Sequence, residues 1–283
     1  MRVLITGATG YLGTALAESI PPGIDAILAG FSRGTRPLDV TEPTSVAAAL
    51  DRHRPNSVVH LAAVSTLAGA AGDPERATRV NVEGAGVVAA AARRAGARLV
   101  TLSSDVVFDG SSGPYHESSP ANPINDYGRS KLEGEAAVLA AHPEALILRT
   151  TVLVGRDRAG RFPFSAFVLE RAARGETIDL FENERRNFYP LTRAATAVWE
   201  CATNDISGIL HIGARSSASR YQFGRNLLEG AGFDGELAVA VQGPAERPAD
   251  LTMDVDLAAS VLDTPMPTMA EAIEETVRDL TMT

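Results

Sequence analysis

Three glycines within seven residues, set where a short apolar run gives way to a helical pattern, constrain this chain more than any other feature. Val3-Leu4-Ile5-Thr6 reads as a buried strand, and Gly7-Ala8-Thr9-Gly10-Tyr11-Leu12-Gly13 follows at once. Glycines at 7, 10 and 13 let the backbone turn tightly, approach a pyrophosphate closely and seat the next helix against the strand. The start of that helix adds unpaired amide donors and the positive end of its dipole. A strand, a glycine turn and a helix in this order are therefore suited to a dinucleotide; a purely structural turn is the alternative.

The rest of the first half repeats the same alternation. Apolar runs at 3–6, 26–29, 57–62, 99–102 and 146–149 are separated by helical patterns at 11–20, 44–53, 74–95 and 126–141. Strands alternating with helices imply parallel crossovers, hence an α/β fold with a doubly wound parallel sheet of the Rossmann type. The runs are continuously apolar, so helices should cover both sheet faces. Residues 1–155 form the expected dinucleotide-binding domain. Beyond it the rhythm loosens, and 156–283 is expected to be mainly a smaller, partly intercalated substrate lobe. A strand near 207–213 returns to the main sheet, and 219–230 reads as a capped helix ending at glycine.

Composition narrows the function. A length of 283 residues suffices for a large core without disulfides, and the single cysteine, Cys201, excludes an internal one and fits a reducing compartment. Lys plus Arg number 26 against 35 Asp plus Glu, and the formal charge of −9 argues against nucleic acid as a partner. The start runs directly into a strand, leaving no room for a signal peptide. The longest stretch without charge, 55–72, contains polar residues and breaks into a strand and a loop, so no membrane span is expected. Cytoplasm follows as the expected location. No histidine has a cysteine or carboxylate at ligand spacing, so no metal is expected.

The second strand should end near Gly30-Phe31-Ser32-Arg33, where an acidic residue would hold the ribose 2′-hydroxyl of NAD. Ser32 and Arg33, with Arg36 nearby, suit a 2′-phosphate instead, which favours NADPH, with NADH as the alternative. Asp39-Val40 is placed to face the adenine, or else Asp39 serves a turn. Tyr127 and Lys131, four residues apart on a helical pattern, share a face. An ammonium beside a phenol lowers the phenol's pKa, as acid-base chemistry would require. Ser103-Ser104 ends a strand where such sheets place ligands, so a hydroxyl there could bind a substrate carbonyl. Asp105 could contact a substrate hydroxyl or cap the next turn.

These segments, with His60-Leu61-Ala62-Ala63, Asp73-Pro74-Glu75, Asn81-Val82 and Tyr127-Gly128-Arg129-Ser130-Lys131, resemble the extended short-chain dehydrogenase/reductase family across nearly the whole chain. Ser103-Ser104-Asp105-Val106-Val107-Phe108-Asp109-Gly110 and the late Arg247-Pro248 are most similar to dTDP-4-dehydrorhamnose reductases. The resemblance implies Ser104, Tyr127 and Lys131 as the catalytic set, Lys131 also holding the cofactor ribose. It implies that Leu61, Ala62 and Ala63 line the cofactor beside Gly7, Thr9, Gly10, Tyr11 and Leu12. Ser103, Asp105, Val106, Arg185, Arg186 and Arg247 are the expected substrate residues, Arg185 and Arg186 being placed against a nucleotide diphosphate or else solvated on their loop. Ser104 stands where the family has threonine and Val106 where it has tyrosine, and 65–72 lacks its usual acidic and lysine residues. The Asp-Glu pair of related dehydratases is absent.

The implied activity is NADPH-dependent reduction of a nucleotide-linked keto sugar, in a protein that could form a homodimer. The alternatives are a sugar epimerase, a reductase of a small ketone, or a non-catalytic subunit resembling the regulatory subunit of methionine adenosyltransferase.

Overall fold

In the computed structural model, which describes residues 1–30, 36–156 and 163–281, the apolar runs become strands of one sheet. They are β1 (Arg2–Thr6), β2 (Asp25–Gly30), β3 (Arg36–Pro37), β4 (Ser57–His60), β5 (Arg98–Ser104) and β6 (Leu146–Thr150), with Gly208–Ile212 as the last strand beside β6. All seven pair in parallel, in the order Gly208–Ile212, β6, β5, β4, β1, β2, β3. The chain winds outward in both directions from β1, whose Thr6 lies opposite Ala29 on one side and His60 on the other. Such a reversal leaves a crevice at the carboxyl ends of β1 and β4, where open sheets bind ligands.

Alternate residues of each strand feed two separate cores, which is why the runs are apolar throughout. Leu4, Ile27, Val58, Leu99 and Ile147 pack under the helices Pro43–His53, Ala85–Arg94 and Asp126–Ala141. Val3, Ile5, Val59, Val100 and Leu148 pack under Tyr11–Glu18 and Leu191–Thr203. The second of those helices comes from the half of the chain read as the substrate lobe. It is nonetheless part of the sheet's core, with Val198 and Cys201 fully buried and the Trp199 indole donating to the Leu16 carbonyl at 3.2 Å.

One helix departs from its pattern. The stretch read as a single helix over 74–95 is Pro74–Thr78, a widened π-helical turn Arg79–Gly84, and Ala85–Arg94. The widened turn lies against a close neighbour. Gly134 of the helix Asp126–Ala141 comes so close that a Cβ there would stand 2.2 Å from the Asn81 carbonyl oxygen. The bulge also turns the Asn81 side chain inward, where it accepts from Val64 N at 2.8 Å and donates to Ser130 Oγ at 2.9 Å.

The remaining segments form a second core. Helices Phe164–Ala173, Arg220–Gly230 and Met269–Thr281 surround the paired strands Ile178–Phe181 and Ala238–Val241. Phe188 and Phe223, both fully buried, stack at 4.1 Å within it. Ser219 caps Arg220–Gly230 in a reciprocal box with Gln222, which sets Arg220 at the helix start.

Candidate active site

The glycine turn is built so tightly that side chains would not fit. Gly7 has φ +67°, and a Cβ there would stand 2.6 Å from Ala62 N, while one at Gly13 would stand 2.4 Å from the Gly7 oxygen. Thr6 locks this turn to the next. Its hydroxyl meets His60 Nδ1 at 2.7 Å and accepts from the amides of Leu61 and Ala62 at 3.3 Å. Burial first, then the Lys131 charge, pushes His60 down to about 3, so it is a neutral packing residue. The turn leaves bare backbone and a helix start facing open space, which is the shape and polarity a dinucleotide phosphate requires.

That space is a cleft of about 760 Å³ between the sheet edge and the second core. Gly7, Thr9, Gly10, Tyr11, Leu12, Asp39, Val40, Leu61, Ala62 and Ala63 line it, as the sequence suggested for the cofactor side. Asp39 also serves its turn, accepting from the Thr41 amide and hydroxyl at 2.9 and 2.7 Å. Ser32 and Arg33 lie outside the described residues.

The candidate reacting groups come from β5 and the helix Asp126–Ala141. Asn125 caps that helix by accepting from Gly128 N at 2.9 Å, and a Cβ at Gly128 would stand 2.2 Å from the Val106 oxygen. This approach holds Tyr127 beside the end of β5. Ser104, Asp105, Val106 and Tyr127 all line the cleft. Ser104 Oγ donates to Asp105 Oδ1 at 3.0 Å, and Asp105 Oδ2 accepts from Thr151 at 2.9 Å. Burial raises the Asp105 pKa, opposed by the nearby Arg186.

Tyr127 corrects one expectation. Its pKa is raised rather than lowered, by burial and then by the Asp105 charge, with a Ser104 hydrogen bond working the other way. Lys131 does not figure among the causes of that shift. Its ammonium donates to the Leu102 carbonyl at 2.6 Å and faces a small polar cavity beside the cleft, with His60, Asn81 and Glu135. Burial lowers Lys131 to about 8, with the Glu135 charge opposing.

Two substrate candidates are redirected. Ser103 borders the cleft, but its hydroxyl donates to buried Glu135, which also pairs with Arg149, so that group is committed to structure. The Arg185 guanidinium points away from the cleft to Gln222 at 3.3 Å and Ser217 at 3.1 Å. Arg186 and Arg247 do line the cleft, joined there by Glu184 and Arg220, which the sequence did not single out. No spacing signal marks those two, because the contacts joining them to 186 and 247 cross from one element to another. Among the described residues there is no cluster able to hold a metal, and no helix is long and apolar enough to cross a membrane.

Residues 1–282 match the family model described as the RmlD substrate binding domain. A probable dTDP-4,6-dihydroxy-2-methyloxan-3-one 4-ketoreductase of Streptomyces antibioticus is 37% identical over 259 residues, 88% of this chain and 85% of its own. Subunit beta of methionine adenosyltransferase 2 of Xenopus tropicalis is 41% identical over 159 residues, covering 54% of this chain and 47% of that protein. The crystal structure of dTDP-4-dehydrorhamnose reductase of Bacillus anthracis in complex with NADP matches with a TM-score of 0.89 and 27% identity, over 97% of this chain and 96% of that one. With residues 1–282 matched by that family model and a reductase structure superimposing over nearly the whole chain, the chain belongs to the RmlD substrate-binding-domain family, within the extended short-chain dehydrogenases/reductases.

Proposed function

We propose that this protein is an NADPH-dependent reductase of a nucleotide-linked keto sugar, of the dTDP-4-keto-6-deoxyhexose type. The observation that carries the reading is that Ser104 and Tyr127 line the same cleft as the glycine turn. The likeness to the Streptomyces 4-ketoreductase and to the NADP-bound dTDP-4-dehydrorhamnose reductase supports it.

When bound, NADPH would supply a hydride to the substrate's carbonyl carbon. The chain's part is to place the carbonyl and to supply a proton. Tyr127 Oη gives its proton to the carbonyl oxygen as negative charge develops there. A phenol with a raised pKa stays protonated through the neutral range, which suits the reductive direction. Ser104, anchored on Asp105, fixes where the phenol and the carbonyl oxygen meet. Lys131, one helical turn from Tyr127, supplies a cation next to the cofactor-lining segment Leu61, Ala62 and Ala63.

The test is NADPH oxidation against a panel of nucleotide 4-keto sugars and simple ketones, with NADH in parallel. Turnover of a phosphate-free ketone in preference to every nucleotide sugar would move the chain to the small-ketone reading. Binding of NADPH with no turnover on any ketone would favour a regulatory role, which the likeness to subunit beta of methionine adenosyltransferase 2 over half the chain keeps in view. Equal affinity for NADH and NADPH would remove the assignment of Ser32 and Arg33 to a 2′-phosphate.

A further inference from the structure

Glu184 lies in the second-core wall of the cleft, 2% exposed, and three guanidinium groups converge on its carboxylate. Arg220 Nε reaches Oε1 at 2.6 Å. Arg247 grips with two nitrogens, Nε to Oε2 at 2.6 Å and Nη2 to Oε1 at 2.9 Å. Arg186 Nη2 stands 3.4 Å from Oε1. Burial works against the charge on Glu184, but the Arg247 hydrogen bond and the three arginine charges outweigh it and hold the carboxyl down at about 2.

The arginines differ in what they have left to offer. Arg186 is spent: its Nη1 donates to the carbonyls of Arg185 and Ala249, its Nη2 to that of Pro248, and its Nε faces Asp105 at 3.5 Å. Arg220 uses only Nε, and among the described residues its Nη1 and Nη2 have no protein partner. Arg247 likewise keeps Nη1. The two side chains are 17% and 27% exposed and line the cleft. Aromatic rings flank them, the Arg220 Cζ lying 4.8 Å from the Phe164 ring centre and the Arg247 Cζ 5.4 Å from that of Phe181. Two carboxylates, Glu184 and Asp105, against three guanidiniums leave this wall net positive in an acidic protein.

We propose that Glu184 is a positioning residue that fixes Arg220 and Arg247 as an anion clamp, and that the clamp takes the diphosphate of the substrate. The proposal rests on the nucleotide-sugar reading and replaces Arg185 and Arg186 as its phosphate ligands. Three open guanidinium nitrogens on two separate side chains match several oxygens of a diphosphate, whereas a lone carboxylate would occupy one fork only. Holding both planes before binding removes the ordering cost that long side chains otherwise impose. Arg186 acts as the strut behind the clamp, tying Glu184 to Asp105 and so to the end of β5.

The experiment titrates the protein, its cofactor site saturated with NADP, with inorganic pyrophosphate, dTDP and thymidine, followed by calorimetry. dTDP should bind more tightly than thymidine, with an affinity that weakens at high salt. Arg220→Met keeps the stem on Phe164 and removes the guanidinium, so the dTDP affinity should fall by about tenfold or more. Glu184→Gln accepts through one oxygen only and should raise KM for a nucleotide sugar far more than it lowers kcat. Arg185→Ala should change neither. Thymidine binding as tightly as dTDP, or wild-type dTDP affinity in Arg220→Met, overturns the clamp. If dTDP affinity depends on Arg220 and Glu184 while no keto sugar is reduced, the clamp stands and the reductase reading falls. If keto sugars are reduced and Arg220→Met leaves KM unchanged, the reductase stands and the clamp falls.

Discussion

Glu135→Gln probes the stability of the sheet and the charge state of the site in one substitution. Glu135 and Arg149 are 6% and 4% exposed at their side chains and joined by bonds of 2.7 and 3.0 Å, with the Ser103 hydroxyl as a third donor. Glutamine keeps the volume but offers one neutral acceptor, and the buried guanidinium, whose Nη1 already has no partner among the described residues, loses its counter-charge. Removing one member of a buried pair costs about 3–5 kcal/mol. At roughly 2–4 °C per kcal/mol for a chain of this size, Tm should drop by on the order of 10 °C. Pairing Glu135→Leu with Arg149→Met removes both charges and should recover most of that loss. The functional arm is separate. Glu135 is the charge that opposes the effect of burial on Lys131, so without it Lys131 falls below about 8. If the ammonium is the working form, the rate in reduction is lost as pH rises through that pKa, and the alkaline limb should move to lower pH in both variants. Calorimetric melting and a pH-rate profile read the two arms. An unchanged Tm would refute the buried-pair argument, and an unmoved limb would refute the role of Glu135 in setting Lys131.

Tyr127→Phe keeps the ring and removes the transferable proton, so single-turnover NADPH oxidation should slow by about 10²-fold or more with cofactor affinity little changed; near-normal turnover would assign the proton to another group. Gly13→Ala would force its Cβ to 2.4 Å from the Gly7 oxygen and 2.7 Å from Ala8, so the turn must open, and fluorescence titration should show weakened NADPH binding. Glu184 has a folded pKa held down at about 2, against about 4.3 for a free glutamate. Its contribution to stability is therefore full above the unfolded value and is lost as pH falls through about 2. Melting followed across that window should be less pH-dependent in Glu184→Gln; an identical profile would show that the carboxylate's charge contributes nothing.

Much of the fold was legible because both faces of the sheet are buried. That makes β1, β4, β5 and β6 continuous apolar runs, and strong caps at Asn125 and Ser219 put the starts of the following helices where the sequence suggests them. The widened turn at Arg79–Gly84 was not legible, since the helix it packs against, through Gly134, is some fifty residues away in sequence and adjacent only after folding. The site divides in the same way. Ser104 and Tyr127 were visible from local motifs, but the adjacent pairs Ser103-Ser104 and Arg185-Arg186 are decided by which way each side chain points. Ser103 and Ser104 both border the cleft but the Ser103 hydroxyl is taken by Glu135, and of the two arginines Arg186 lines the cleft while Arg185 bonds elsewhere. Glu184 and Arg220 carried no signal, because their partners lie 36 and 63 residues apart and no spacing rule reaches that far.

The widened turn behaves as one surplus residue carried inside a helix. Deleting a single residue between 79 and 84 would let the segment close into regular α-helical pitch, and by helical geometry alone the result should be favourable. It would also rotate Asn81 away from Val64 and Ser130, and so detach the loop after β4, with Leu61 to Ala63 on it, from the helix that carries Tyr127. The length of this stretch is thus a measure of alignment between two walls of the cleft. A shortened chain that gains helix content and melts no lower, yet binds cofactor and substrate without reacting them, would be the signature of walls set out of step.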